Sequence, residues 1–296
     1  MKDFEYCAPD NLQAATALLA EHGDRARILA GGTDIIVQLR EGLRSADCVV
    51  DVKNIPELMA LDYSSSQGLT LGASTSCHRV YTHAELPTAY AALVDASKIV
   101  GGWQIQTRAS VGGNLCNSSP AADTIPALLV HQASCQIHGP DGSRDVSVAD
   151  FCTGPGQNIL QPGEMLVTLQ LPAPTANSSS AYERFIPRNE MDIAVAGAAS
   201  WIQLDPSGET IEDACIALAA VAPTPVLATE AAESLRGKPA NEENFAAAGE
   251  LAKNVASPID DMRGTAEYRT HLVGVLTKRT LATACERAQK GSSAVL

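Results

Sequence analysis

The stretch Arg27-Ile28-Leu29-Ala30-Gly31-Gly32-Thr33-Asp34-Ile35-Ile36-Val37-Gln38-Leu39 decides how the chain reads. A short apolar run enters a glycine pair, and Thr33 or Asp34 then stands where a helix N-cap belongs, ahead of Ile35, Ile36 and Leu39 at helical spacing. The pattern is strand, glycine turn, helix. Glycine adopts positive φ and, having no Cβ, lets backbone N–H groups approach a ligand closely. Amides at a helix start, with the partial positive charge of its dipole, suit an anion. Ser110-Val111-Gly112-Gly113-Asn114 reads as a second glycine turn, followed after Pro120 by a helix from Asp123 through Leu129. Lys and Arg are absent from 28–39 and from 109–129, so a phosphate in these turns is expected to be held by amides, hydroxyls and dipoles. Neither turn has the G-x-G-x-x-G order of a Rossmann site or the G-K-[ST] of a P-loop. Either pair alone reads as an ordinary tight turn. Two in one domain, the second followed by Asn114, Ser118, Ser119 and Asp123, bring a ligand cradle level with that reading.

Outward from these turns the first half alternates strand and helix. Phe4–Tyr6, 48–52 and 69–73 read as strands, with a helix capped by Asp10 or Asn11 and another over 84–96. Residues 134–138 and 144–148 flank Gly139-Pro140-Asp141-Gly142-Ser143 as a hairpin, and 165–171 form a strand ended by Pro172. The Pro- and Ser-rich stretch 172–180 reads as a domain boundary. Beyond it, strands over 193–204 and 211–220 precede helices over 226–236, 241–254 and 266–288, an α+β arrangement. Trp103 and Trp201 are expected to pack.

The chain has 296 residues, 45% apolar and 19% charged, and a net charge of −13, as expected of a two-domain globular protein. The acidic balance repels a phosphate backbone and disfavours nucleic-acid binding. No apolar stretch approaches a membrane span, and the start lacks a secretory signal's apolar core, so a cytoplasmic location is expected. The eight cysteines and six histidines fall at no metal-ligand spacing.

The motifs Ala30-Gly31-Gly32-Thr33-Asp34 and Gln104 through Leu115, continued by Ser118-Ser119-Pro120-Ala121-Ala122-Asp123, resemble the two FAD loops of the flavin-binding subunit of the molybdenum hydroxylases, the group of xanthine, carbon monoxide and nicotinate dehydrogenases. Glu164-Met165-Leu166, Tyr182-Glu183-Arg184-Phe185 and Ile259-Asp260-Asp261-Met262-Arg263-Gly264 extend the resemblance over essentially the whole chain. It implies an α+β fold: an FAD-binding domain of the vanillyl-alcohol oxidase type over 1–176, with subdomains of about 1–56 and 57–176, and a smaller C-terminal domain over 177–296 with a short antiparallel sheet and helices.

By the same resemblance FAD is bound by Ile28, Leu29, Ala30, Gly31, Gly32, Thr33, Asp34 and Ile35, by Ser110, Val111, Gly112, Gly113 and Asn114, and by Asp123, Leu166 and Arg184. Leu166 then lies near the flavin ring, and Val100 falls where an aromatic residue meets the ring in xanthine dehydrogenase. Arg184 stands where relatives often carry Lys. The implied function is electron transfer: the FAD subunit accepts electrons from the [2Fe-2S] clusters of a small partner subunit, fed by a large molybdenum subunit, and passes them to an external acceptor within a dimer of heterotrimers. No side chain is expected to be catalytic and none to bind metal. The alternative is a stand-alone flavin oxidase or reductase of the vanillyl-alcohol oxidase type.

Overall fold

The computed structural model describes residues 2–188 and 191–293; residues 1, 189–190 and 294–296, which fall within the expected domain spans, lie outside the described residues. The first layer holds β1 (Glu5–Cys7), α1 (Leu12–His22), β2 (Ala26–Leu29), α2 (Ile35–Arg40) and β3 (Cys48–Asp51). Its three strands pair in parallel in the order β1-β3-β2. Cys-Val-Val-Asp is buried at every position, as a central parallel strand requires. Asn11, not Asp10, caps α1: its side-chain oxygen accepts the Ala14 N–H at 2.8 Å.

The second layer runs through β4 (Leu61–Ser64), β5 (Gly68–Gly72), α3 (Cys77–Tyr81), α4 (Leu86–Ala89), α5 (Ala91–Ser97), α6 (Trp103–Gln106), α7 (Val111–Asn117), α8 (Thr124–Val130), β6 (Ser134–Gly139), β7 (Gly142–Ser147), the small pair β8 (Cys152–Gly154) and β9 (Gln157–Asn158), and β10 (Met165–Leu171). Five strands form an antiparallel sheet in the order β4-β5-β10-β6-β7. The β6–β7 loop is tighter than expected: Gly139 pairs with Gly142 around Pro140-Asp141, with Gly142 at φ +109°. The helix expected over 84–96 is two short ones, interrupted at Tyr90, whose φ −136° and ψ 58° are not helical.

The third layer comprises β11 (Ser178–Phe185), β12 (Ala196–Leu204), β13 (Ile211–Ala219), β14 (Val226–Leu227), α9 (Thr229–Glu233), α10 (Glu242–Ala252) and α11 (Ala266–Ser293). Its antiparallel sheet follows chain order. Val226 and Leu227, expected to be helical, add to its edge opposite Leu218 and Ala217. Alternate residues of β12 face opposite cores. Ala196, Ala198, Ile202 and Leu204 meet α9–α11, while Ala199 and Trp201 meet the core of the second layer. The sheet is therefore sandwiched, and the C-terminal unit completes the core of the unit before it. Trp201 packs as expected; Trp103 does not, being 74% exposed on the short helix α6.

One expectation changes in kind. Ser110-Val111-Gly112-Gly113-Asn114 is not a turn but the start of α7, because the Ser110 hydroxyl accepts the Gly113 N–H at 3.0 Å and nucleates a helix despite two poor helix formers. The glycines serve close approach. A Cβ on Gly112 would stand 2.5 Å from the Ala73 Cα, one on Gly31 1.9 Å from the Arg108 carbonyl oxygen, and one on Gly72 2.4 Å from the Leu58 carbonyl oxygen. We expect Gly31→Ala and Gly112→Ala each to destabilise the fold by about 1–3 kcal/mol, the usual cost of overpacking, whereas Gly154→Ala, whose nearest neighbour is a Gln157 side-chain atom at 3.5 Å, changes little. Denaturant unfolding of the three variants checks this.

The junction between second and third layers holds a pH-sensitive contact. His131, at the end of α8, lies edge-on to Tyr90 and places Nε2 3.0 Å from the Ser180 hydroxyl on β11. Ser180 already accepts the Ala92 N–H at 2.9 Å, so its own proton is free for an unprotonated Nε2. Burial pushes the His131 imidazole down to about 4. A depressed histidine adds stability that is full above its unfolded value of 6.5 and is lost as pH falls from 6.5 toward 4. The loss reaches at most about 3 kcal/mol at 1.36 kcal/mol per pH unit. Thermal unfolding across this window should show the decline, and His131→Gln should flatten it.

Candidate functional site

The strand, turn and helix at 27–39 and the start of α7 meet at one cleft of about 440 Å³ between the first and second layers. Its wall includes Ile28, Ala30, Gly31, Gly32, Thr33, Asp34 and Ile35 from the first stretch, Ser110, Gly112, Gly113 and Asn114 from the second, and Leu166 of β10. The 28–35 turn is pinned from behind. Lys53 Nζ donates to the Ala30 carbonyl at 3.0 Å and pairs with Asp51 at 2.6 Å, and the Tyr6 hydroxyl donates to the other Asp51 oxygen at 2.6 Å. Gly32, at φ +82°, lets the chain turn into α2. Neither Thr33 nor Asp34 caps that helix; Asp34 instead accepts from the Asn117 side chain of α7 at 3.2 Å, tying the two motifs together.

The backbone N–H groups of Gly31, Gly32, Thr33 and Asp34 reach no protein acceptor among the described residues. The hydroxyl of Ser74, which lines the same cleft and is 4% exposed, is a buried oxygen without a partner. Unsatisfied donors facing a cleft cost free energy until a ligand or water meets them. The cradle fits a diphosphate ester: glycines where a Cβ would intrude, backbone donors along the turn, and the one carboxylate on it, Asp34, engaged by the Asn117 side chain.

Four expected residues stand elsewhere. Leu29 packs under α2 with Leu39, Ala46 and Val49, and Val111 is fully buried in the main core. Asp123 is 6% exposed and off the cleft wall; its two oxygens take the Tyr182 hydroxyl at 2.9 Å and Arg184 Nη1 at 2.5 Å. Burial raises this carboxyl to about 6 against the pull of the Arg184 charge and the Tyr182 hydroxyl. Arg184 also donates to the Ile99 carbonyl at 2.8 Å, immediately before Val100 on the cleft wall. The pair therefore touches the cleft through the backbone at 99–100. Asn114 likewise has a second duty, accepting from the Thr124 hydroxyl at 2.7 Å at the start of α8.

Sequence reasoning missed Ser74, Gln38, Asn158 and two cations, Arg27 and Arg44, all on the cleft wall. Ser74 follows a strand in the small-residue run Gly72-Ala73-Ser74-Thr75, a signal of close approach. The turns themselves are free of Lys and Arg, as expected, but the wider wall carries Arg27, one residue before that span, and Arg44, five after it. Cys116 also lines the cleft, but burial pushes its thiol up to about 12 and keeps it protonated. Among the described residues no cluster of His, Cys, Asp or Glu could hold a metal, and no helix is long and apolar enough to cross a membrane.

Comparison with known proteins agrees with this geometry. Residues 2–174 match the FAD binding domain in molybdopterin dehydrogenase, and residues 180–284 match the CO dehydrogenase flavoprotein C-terminal domain. The chain is 31% identical over 290 residues to the xanthine dehydrogenase FAD-binding subunit of Escherichia coli O157:H7, covering 97% of this chain and 98% of that one. It is 32% identical over 287 residues to the carbon monoxide dehydrogenase medium chain of Afipia carboxidovorans, covering 97% and 98%. Among solved structures, a chain of the Cu,Mo-CO dehydrogenase superposes with a TM-score of 0.91 at 31% identity, covering 96% of this chain and 98% of that chain. A chain of quinoline 2-oxidoreductase from Pseudomonas putida 86 superposes with a TM-score of 0.90 at 29% identity, covering 97% and 99%. The fold, the glycine-lined cleft and these matches together make the chain a member of the xanthine and carbon monoxide dehydrogenase family of oxidoreductases, as its FAD-binding subunit.

Proposed function

We propose that the chain carries FAD in the cleft between its first two layers, accepts electrons from [2Fe-2S] clusters on a small partner subunit, and passes them to an external acceptor. A large partner subunit holding the molybdenum cofactor would supply those electrons, in a cytoplasmic dimer of heterotrimers. The observation that carries the cofactor assignment is the set of unsatisfied donors on one wall, the amides of Gly31–Asp34 and the hydroxyl of Ser74. When bound, FAD supplies the exchange of single electrons with a cluster and of one or two with an acceptor.

On this reading the protein's own residues bind and orient. The Gly31–Asp34 amides and the start of α7 take the diphosphate, with Ser110, Gly112, Gly113 and Asn114 around the ribityl chain. Ile28, Ala30, Ile35 and Leu166 supply apolar wall, Leu166 toward the ring. Asp123 and Arg184 act at one remove, fixing the Ile99 carbonyl and with it Val100. Assembly is supported by an exposed apolar patch beside that point: Trp103 is 74%, Ile193 50% and Met191 46% exposed, with the Met191 sulfur next to Gly102. All eight thiols are free, in keeping with a reducing compartment.

Copurification from the native host, followed by absorption spectroscopy, metal analysis and subunit separation, tests the proposal. The expected particle contains iron, molybdenum and flavin, with flavin alone on this chain. An intact complex lacking FAD overturns the cofactor assignment, and turnover of a small molecule by the isolated chain supports a stand-alone oxidase instead. Asp123→Ala leaves Arg184 buried without its counterion and is expected to cost about 3–5 kcal/mol. Urea unfolding, with Arg184→Met in the Asp123→Ala background partly restoring stability, checks that value.

A further inference from the structure

The peptide group joining Ala30 to Gly31 offers its two ends to different partners. Its carbonyl accepts from Lys53 Nζ at 3.0 Å, while its N–H, that of Gly31, meets no protein acceptor among the described residues. Gly31 is on the cleft wall; Lys53 and Asp51 are not. In a planar trans peptide the C=O and N–H point in opposite directions, so holding the oxygen toward Lys53 aims the hydrogen away from it, toward the cleft. Nothing within the turn itself does this. Without a Cβ on Gly31 the peptide plane rotates freely through ψ of Ala30 and φ of Gly31, and a half-turn puts the carbonyl oxygen where the N–H stands. The turn would then meet an anion with an acceptor.

Lys53 is itself held. Its ammonium pairs with Asp51 Oδ1 at 2.6 Å, the same oxygen accepts the Lys53 backbone N–H at 3.0 Å, and the Tyr6 hydroxyl donates to Oδ2 at 2.6 Å. Asp51 ends β3, the central strand of the first sheet, and is 8% exposed. The anchor therefore lies in the sheet. A cationic donor on a carbonyl also polarises the peptide and strengthens its N–H toward an acceptor. Because Asp51 balances the Lys53 charge, this influence reaches the cleft through the one peptide rather than as a field of its own. We propose that Lys53, fixed by Asp51 and Tyr6, is a positioning residue that keeps the Ala30–Gly31 peptide with its N–H toward the ligand, and so makes the turn a receiver of anions. The inference rests on the flavin reading above.

The test is equilibrium binding by the full chain freed of cofactor, with FAD and riboflavin followed by fluorescence and inorganic pyrophosphate by calorimetry. Lys53→Met should weaken FAD and pyrophosphate by about tenfold, the scale of one charge-assisted hydrogen bond, and leave riboflavin, which has no phosphate, unchanged. Lys53→Arg, which keeps a cationic donor, should recover part of the loss. Lys53→Met with Asp51→Asn removes the carboxylate that the single change strands, so it guards against misfolding of the single variant, and it should stay as weak for FAD. Recovery of wild-type FAD affinity in this double variant overturns the proposal, because the stranded Asp51 charge then explains the loss. Unchanged FAD affinity in Lys53→Met overturns it too and leaves the flavin assignment standing. A parallel fall in FAD and riboflavin overturns it by assigning Lys53 a structural role. Wild type that binds pyrophosphate but no flavin, with Lys53→Met lowering that binding, sinks the flavin reading and keeps the positioning role; wild type that binds neither overturns both.

Discussion

The molecule depends on backbone meeting backbone with no side chain between. At Gly31, Gly72 and Gly112 the chain passes so near a neighbouring main chain that a methyl group would overlap it, at 1.9, 2.4 and 2.5 Å. These contacts lie in series. Gly31 seats the first turn on Arg108–Ala109, Gly112 seats α7 on Ala73, and Gly72 seats β5 on the residues leading from the first layer into the second. The Gly72 and Ser74 amides donate to the Ala60 and Leu58 carbonyls, both at 2.8 Å, fastening the same crossing. Ser74, the residue that ends with a stranded hydroxyl in the cleft, is thus delivered by the closeness that glycine permits. The cleft is the seam between two sheets drawn together in this way.

A second constraint fixes what stands behind the seam. The C-terminal sheet is buried on both faces, and its Ala-rich strands let α5 and α8 on one side and α11 on the other come close. Polar groups cross this junction in satisfied sets: His131 with Ser180 and Asp123 with Tyr182 and Arg184 in its buried part, and Asp95 with Arg287 at its half-exposed rim. A buried ion pair contributes little net stability, because desolvation offsets attraction, but it specifies geometry. Here it specifies where Ile99 and Val100 lie, so the C-terminal unit reaches the cleft wall through Arg184 without touching the cleft.

Much of this was legible in the sequence. Strand, glycine turn and helix at 27–39, the strand at 165–171, and the strands flanking 205–208 follow from hydrophobic period and turn chemistry, which act over a few residues. The twelve expected residues on the cleft wall belong to two such motifs plus one strand. What was not legible is set by pairing at a distance. A glycine pair reads as a turn until Ser110 is seen capping it, and Val226–Leu227 reads as helix until Leu218 offers a strand edge. Asp123 sits amid expected binding residues in the chain, yet its side chain points to Tyr182 and Arg184, some sixty positions away. Ser74, Arg27 and Arg44 carry no motif; only the folded seam gathers them.

The electrostatics of the cleft follow from the same local logic. With a net charge of −13 the protein as a whole repels a diphosphate. Screening at physiological salt confines each surface charge to ~8 Å, so what the ligand meets is the nearest set of groups. That set is donor-rich: four turn amides and a hydroxyl, two guanidinium groups without an ion-pair partner, and two acids, Glu164 paired with Arg144 and Asp34 accepting from Asn117. The two guanidinium groups repel, and the Ser74 hydroxyl and the Arg27 Nε are buried without a partner, so an anion bound there would relieve both. Anything that binds the folded state alone stabilises it by mass action. A ligand bound in the cleft would therefore add to the stability of the seam between the first two layers, whose geometry the glycine contacts set.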